Sequence, residues 1–147
     1  MRYSDIRQSG SGLRGPEMRL VTMLRLWAEG PEAQEAVWRD LCKRLGAPRA
    51  RACLQGFETL LGLLKKHGWH APLVLGSDAS GYSEDELAIA RFVMAATEQR
   101  REVALTEASF LVSPAGMLPL MTAATRVGLP LLCEDCRARV MGRGTVH

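Results

Sequence analysis

The sequence lacks a long uninterrupted run of apolar residues. No run approaches the roughly 20 residues that a helix needs to cross a bilayer, so we expect no membrane-spanning segment. The first residues, MRYSDIRQSGSG, also lack the apolar stretch of a secretory signal. These two absences predict a cytoplasmic protein that has no membrane as its partner.

Lysine is scarce, because Lys43, Lys65 and Lys66 are the only lysines and arginine supplies the remaining positive charge. The net charge is only +3. A preference for arginine over lysine can reflect a GC-rich genome as easily as a function. The charge balance therefore does not by itself indicate binding to nucleic acid.

Complete signatures of catalysis or nucleotide binding are also missing. The segment Gly76–Gly81 (GSDASG) does not end in the Lys-Ser/Thr pair of a phosphate-binding loop. Tyr82 stands where a calcium-binding EF-hand loop would need an oxygen ligand, so we interpret the segment as a turn. No Ser–His–Asp arrangement and no repeat of fixed period can be read. These absences favour a protein that is not an enzyme.

What is present is a globular composition, with 47% hydrophobic and 24% charged residues in 147 positions. Gly and Ser with Arg2, Arg7 and Arg14 predict a flexible basic arm over residues 1–15. We expect a single helical domain over residues 16–140 and a flexible tail over residues 141–147.

Apolar spacing of three and four residues predicts helices through the first half of the chain. The central stretch runs from Pro48 to Gly68, after helices over about Pro16–Glu29 and Pro31–Leu45. The residues that we expect to face inward from the central helix share this spacing: Ala50, Cys53, Leu54, Phe57, Leu60, Leu61 and Leu64.

The second half begins with a long connection, at about residues 69–82, and continues with more helices. Ser83 and Glu86 form a capping box that predicts the start of the fourth helix. The polar run 98–102 predicts a break, followed by helices over about 103–112 and 114–127. We expect Gly128 and Pro130 to end the sixth helix, and residues 133–140 to form a last short one. The fold class predicted is all-α, a compact bundle of about six helices with one long internal connection.

The pair Cys133 and Cys136, separated by two residues, is the most specific chemical pattern. This spacing suits half of a zinc site or a redox-active thiol pair, and neither a second such pair nor an α/β strand–helix context is present. His67 and His70 could complete a set of four zinc ligands, although the histidines precede the cysteines. Cys42 and Cys53 are the less favoured alternative ligands, for zinc or for an iron–sulfur cluster.

A third reading concerns DNA. Leu41–Gly46 resembles the first helix and turn of a helix-turn-helix, which would make the central helix a recognition helix. Arg49, Arg51 and Gln55 would then face phosphates and bases. The mostly apolar character of this helix opposes that reading.

The leading hypothesis is a non-enzymatic adaptor or regulator that binds a protein partner or a second copy of itself. A metal-binding or thiol-sensing domain at Cys133 and Cys136 is the first alternative, with zinc or iron–sulfur as its cofactor. A nucleic-acid-binding regulator is the second alternative. The leading hypothesis requires no cofactor.

Overall fold

The computed structural model describes the backbone of residues 6–7 and 12–144 and the side chains of residues 12–134. Within this part the chain forms six helices and two strands of two residues each. The elements are β1 (Ile6–Arg7), α1 (Gly15–Glu29), α2 (Pro31–Leu45), α3 (Ala47–His67), β2 (Tyr82–Ser83), α4 (Glu84–Thr97), α5 (Arg101–Leu111) and α6 (Pro114–Gly144). The predicted all-α bundle with a long connection after the third helix is confirmed.

The central helix α3 supplies one side of the core, and α6 makes its most extensive contacts with α3 and α4. Ala50, Cys53, Phe57 and Leu60 are fully buried, whereas Leu54 and Leu61 at the edge of the stripe are half-buried. The helices can approach closely because Gly56 of α3 lies where a side chain would collide with α6. The prediction that Ala50, Cys53, Phe57 and Leu60 face inward is therefore confirmed. The fully buried face is narrower than predicted, because Leu54 and Leu61 lie at its edges.

Proline and glycine set the ends of the first three helices. Gly30 between α1 and α2 has a φ of 122°, and Gly46 between α2 and α3 has a φ of 83°. Both values lie in the region that side chains with a Cβ avoid. A proline follows each glycine within two residues and starts the next helix with its fixed φ. The predicted break after α4 is also present, at Gln99, whose φ is 61°.

The prediction that Gly128 and Pro130 end the sixth helix is wrong, because α6 continues without interruption from Pro114 to Gly144. Gly128 is buried and packs against Thr97 of α4, where a Cβ would clash, so its role is close packing. Pro130 lacks the N–H that would otherwise bind the carbonyl of Arg126, so the helix loses one backbone hydrogen bond there. Burial of residues on the opposite face outweighs the cost of this proline.

By length and composition alone, the α6 segment Pro114–Glu134 could cross a membrane. The expectation of no such segment rested on the lack of an uninterrupted apolar run, whereas this segment is apolar on average although it contains polar residues such as Thr122 and Arg126. The core helix of a soluble protein satisfies the same two criteria. Leu120, Ala124 and Val127 are fully buried within the bundle, but only 39% of this segment is buried, so packing accounts for part of its apolar character.

The ends of the chain are described only in part. Ile6–Arg7 of the predicted basic arm pairs with Tyr82–Ser83 in antiparallel register, with Ile6 opposite Ser83. Residues 1–5 and 8–11 lie outside the described residues. Residues 141–144 of the predicted tail continue α6, and residues 145–147 lie outside the described part. Their flexibility stays a prediction.

Candidate functional site

A buried ion pair holds the long connection between α3 and α4 in place. Arg25 of α1 donates from Nε to Glu86 Oε2 and from Nη2 to Glu86 Oε1, both at 2.8 Å. The side chain of Arg25 is 8% exposed and that of Glu86 is fully buried. Two parallel bonds between a guanidinium and a carboxylate fix distance and orientation together. The pair therefore joins α1 rigidly to the start of α4.

Both partners also bind the backbone of the connection. Arg25 donates to the carbonyls of Gly81, at 2.6 Å, and Ala79, at 3.3 Å. Glu86 accepts from the N–H groups of Leu75, at 2.9 Å, and Ser83, at 3.0 Å. These four backbone groups would otherwise need other partners inside a helical protein. The ion pair thus determines the path of the second half of the connection.

The environment shifts the pKa values of both groups towards the charged forms. Burial by itself would raise the pKa of Glu86, but the hydrogen bond from Arg25 and those from the N–H groups of Ser83 and Leu75 outweigh it and lower the pKa. The hydrogen bond to Glu86 raises the pKa of Arg25 against the opposing effect of burial. Both side chains are therefore ionised at neutral pH.

The predicted capping box at the start of α4 is confirmed. The N–H of Glu86 donates to Ser83 Oγ, and the N–H of Ser83 donates to Glu86 Oε1, both at 3.0 Å. Asp85 in the same turn accepts from the N–H of Leu73 at 2.7 Å. The acidic start of this helix therefore caps α4 and also binds the connection, a second role that the sequence pattern did not indicate.

The connection separates two cavities. The first, of about 400 Å³, is apolar and lies between the connection and helices α1 and α3, with Leu24, Trp27 and Leu64 among its lining. The second, of about 760 Å³, is more polar and lies towards α4 and α5. His70 and Ala71 line both cavities. The long non-helical connection and both cavities therefore lie at the same end of the bundle.

Two aromatic side chains are exposed beside these cavities. Trp69 is 60% exposed and Phe110 of α5 is 67% exposed. Trp69 is held in place, because its Nε1 donates to the carbonyl of Ser109 at 2.9 Å and its N–H donates to the carbonyl of Leu111 at 3.4 Å. We call Trp69 and Phe110 the aromatic surface.

The structure does not bring the four residues of the predicted zinc set together. His67 ends α3 and packs against Gly116, near the start of α6. Cys133 is exposed and lies 17 residues further along the same helix, about 25 Å away at 1.5 Å per residue. Two ligands of one zinc ion cannot be this far apart. His70 instead lies 3.4 Å from Asp85, measured from Nε2 to Oδ2.

The cysteines also lie in separate surroundings. Cys53 is fully buried, its Sγ is 3.7 Å from the carbonyl oxygen of Val127, and burial raises its pKa to about 11. Cys42 is half-buried on α2. Among the side chains of residues 12–134, no group of three His, Cys, Asp or Glu could hold a metal ion. The side chain of Cys136 lies outside the described part, although its backbone places it one turn after Cys133.

Glu134, between the two cysteines, binds arginines of the first two helices. Its carboxylate accepts from Arg19 of α1, and it also accepts from Arg44 of α2 at 3.4 Å. Glu134 is mostly buried, with 16% of its side chain exposed. It therefore attaches the second half of α6 to α1 and α2. We did not predict this role from the sequence.

The residues of the central helix that we predicted to contact DNA differ in their exposure to solvent. Arg51 is exposed and Arg49 is half-buried near the start of α3. Gln55 is exposed and its Oε1 accepts from Arg126 of α6 at 3.4 Å, so α6 covers part of this face. Binding of nucleic acid stays a prediction that no feature of this face strengthens.

The Arg25–Glu86 pair is the feature that sequence reasoning missed, although the sequence carried a signal for it. Arg25 occupies an inward position, four residues after Val21, and a charge at such a position needs a buried partner. Glu86 is likewise four residues before inward Ala90.

Comparison of the chain with protein-family models, with curated proteins and with solved structures finds no match.

Proposed function

We propose that this chain is a small cytoplasmic helical adaptor or regulator that binds a protein partner through the aromatic surface. The exposure of Trp69 together with its fixed position is the observation that carries the proposal. A large apolar ring costs little entropy on binding when it is already held in one orientation. Aromatic residues of this kind also contribute most of the binding energy in many protein interfaces.

The neighbouring contacts explain why this surface is a rigid one. The N–H of Ser113 donates to the carbonyl of His67 at 2.9 Å, and Gly68 and Val112 form an antiparallel bridge. The start of the connection is therefore fastened to the end of α5 at several points. Val103, which is 42% exposed, lies on the same face of α5 as Phe110, seven residues earlier, and extends the apolar surface.

The test compares partner capture by matched surface variants. The double variant Trp69→Ala/Phe110→Ala removes the aromatic surface, and Leu118→Ala/Leu129→Ala removes two side chains of α6 that are 61% and 51% exposed. We expect a partner that the unchanged chain captures to bind the aromatic variant at least about 30-fold more weakly, because a central aromatic residue contributes about 2 kcal/mol or more.

The control variant should retain that partner, and both variants should remain fully folded at the assay temperature, although Trp69→Ala loses the hydrogen bond to Ser109. Sedimentation of the purified chain distinguishes a second copy from a different protein as the partner. If the aromatic variant captures the partner as well as the control variant does, the proposal fails.

We retain one alternative, thiol or metal chemistry at Cys133 and Cys136, because Cys133 is exposed on a continuous helix that places Cys136 one turn later. Zinc or an iron–sulfur cluster at this pair would need ligands from outside the described side chains, or from a second copy. Elemental analysis and thiol titration of the purified chain test it. Less than one-tenth equivalent of metal, together with no reversible disulfide, would end this alternative.

A further inference from the structure

The apolar cavity beneath the connection has the walls of a ligand site. Leu24, Leu64 and Ile89 are buried and form its floor, and Pro72 and Val74 of the connection are half-buried on the opposite side. Its volume of about 400 Å³ lies in the range of small-molecule sites. An apolar cavity of about 150 Å³ already takes up benzene. This cavity can therefore hold a hydrocarbon or aryl group of considerably larger size.

The ionisable side chains that line this cavity are all basic. Lys65 and His70 are its titratable lining side chains, and no carboxylate is among the lining residues. Lys65 is exposed and forms no ion pair with the side chains of residues 12–134. His70, in contrast, already faces Asp85 at 3.4 Å. Lys65 is therefore an exposed cation of the lining that a ligand could neutralise.

We propose that this cavity binds a small amphipathic carboxylate, with its apolar body between the floor and the connection and its carboxylate at Lys65. The apolar body gains free energy by leaving water, and the carboxylate stays at the exposed edge, where its desolvation is small. A cationic molecule of the same length lacks the pairing with Lys65. The ligand site is distinct from the aromatic surface and does not depend on its function.

The experiment measures binding of octanoate, 1-octanol and octylammonium to the full chain by isothermal titration calorimetry. We expect saturable binding of one octanoate per chain, about fivefold or more tighter than binding of either other molecule, which corresponds to one partly exposed ion pair. Lys65→Met should remove this preference. Lys66→Met is the matched control, because the neighbouring lysine does not line the cavity, and it should leave the preference unchanged.

A second pair of variants tests the location. Ala71→Phe places a large side chain at an exposed lining position of the connection, and Ser77→Phe does the same at an exposed position outside the cavity. Ala71→Phe should weaken octanoate binding about fivefold or more, and Ser77→Phe should leave it within about twofold. The proposal is overturned by absence of saturable octanoate binding, by octylammonium that binds as tightly as octanoate, or by equal effects of the two phenylalanine variants.

Discussion

Substitution of Arg25 by methionine is the most direct test of how this fold is held together. Methionine keeps a similar aliphatic length, but the guanidinium and its four hydrogen bonds are lost. Glu86, fully buried, would keep only the N–H donors of Leu75 and Ser83 from the connection. Breaking a buried ion pair from one side typically costs 3–5 kcal/mol, and the two remaining donors favour the lower end, about 3 kcal/mol.

The unfolding free energy that Arg25→Met loses should be larger at neutral pH than at acidic pH. In the unchanged chain the pKa of Glu86 is lowered, so its contribution is present above the unfolded-state pKa of about 4.3 and is lost as pH falls through the folded-state pKa. Without Arg25, burial raises the pKa of Glu86, and the carboxyl group can fold in its neutral form at mildly acidic pH. The difference in unfolding free energy between the two chains should therefore be largest near pH 7 and shrink below about pH 5.

Urea unfolding followed by circular dichroism at pH 7 and pH 4.5 measures this difference. Hydrogen exchange at Leu75 and Ser83 should also accelerate, because both amides donate to Glu86 and Arg25 no longer fixes the position of that carboxylate. Arg39→Met is the control, since this arginine is 74% exposed and pairs with Glu35 within α2, and its change should stay below about 0.5 kcal/mol.

The double variant Arg25→Met/Glu86→Gln should be more stable than Arg25→Met at pH 7, because it leaves no charge buried. A loss for Arg25→Met below about 1 kcal/mol at pH 7, or an equal loss at pH 4.5, would refute the reasoning.

Three further predictions concern packing and thiols. Cys53→Ala should cost about 1–2 kcal/mol of unfolding free energy through lost burial and leave partner capture unchanged; loss of function in a folded variant would contradict a packing role. Gly128→Ala should cost about 1–3 kcal/mol because its Cβ would clash with Thr97, whereas Gly62→Ala, which has open space, should stabilise by about 0.5–1 kcal/mol; equal melting temperatures would disprove this. In a chain with Cys136 replaced by serine, exposed Cys133 should react first with a thiol reagent at pH 8, and Cys53 should react only on unfolding because its pKa is about 11; early labelling of Cys53 by mass spectrometry would refute this.

Local rules were sufficient for most helix boundaries. Proline at Pro31 and Pro48 and glycine at Gly30 and Gly46 act through backbone geometry that needs no knowledge of the rest of the chain. The same is true of the capping box at Ser83, whose partners are three residues apart. These features are short-range, so a sequence pattern expresses them fully.

The length of α6 could not be predicted by those rules. Gly128 and Pro130 usually end helices, and what keeps them inside this one is packing at a distance. Gly128 meets Thr97 of α4, and Leu131 just beyond Pro130 is fully buried. Tertiary burial here outweighs local propensity, and the partner surfaces are invisible in the local sequence.

The candidate sites depended even more on distant contacts. Arg25 and Glu86 are 61 residues apart, and their pairing is decided by how α1 lies against α4. The cavities exist because the connection follows one path over the helices, which no local spacing encodes. In contrast, the spacing of Cys133 and Cys136 suggested a zinc site with His67 and His70. The fold places these histidines too far from Cys133 to bind the same ion.

Apart from the ring of Tyr82, whose centroid lies 5.4 Å from Arg25 Cζ, Arg25 and Glu86 bind the connection through backbone groups, namely the carbonyls of Ala79 and Gly81 and the N–H groups of Leu75 and Ser83. Every residue type offers a backbone carbonyl, and every type except proline also offers an N–H. The side chains of residues 71–81 take no part in these contacts of Arg25 and Glu86, so they can change in evolution while the contacts persist. Since these side chains also line both cavities, related chains could acquire different ligand preferences while they keep the same scaffold.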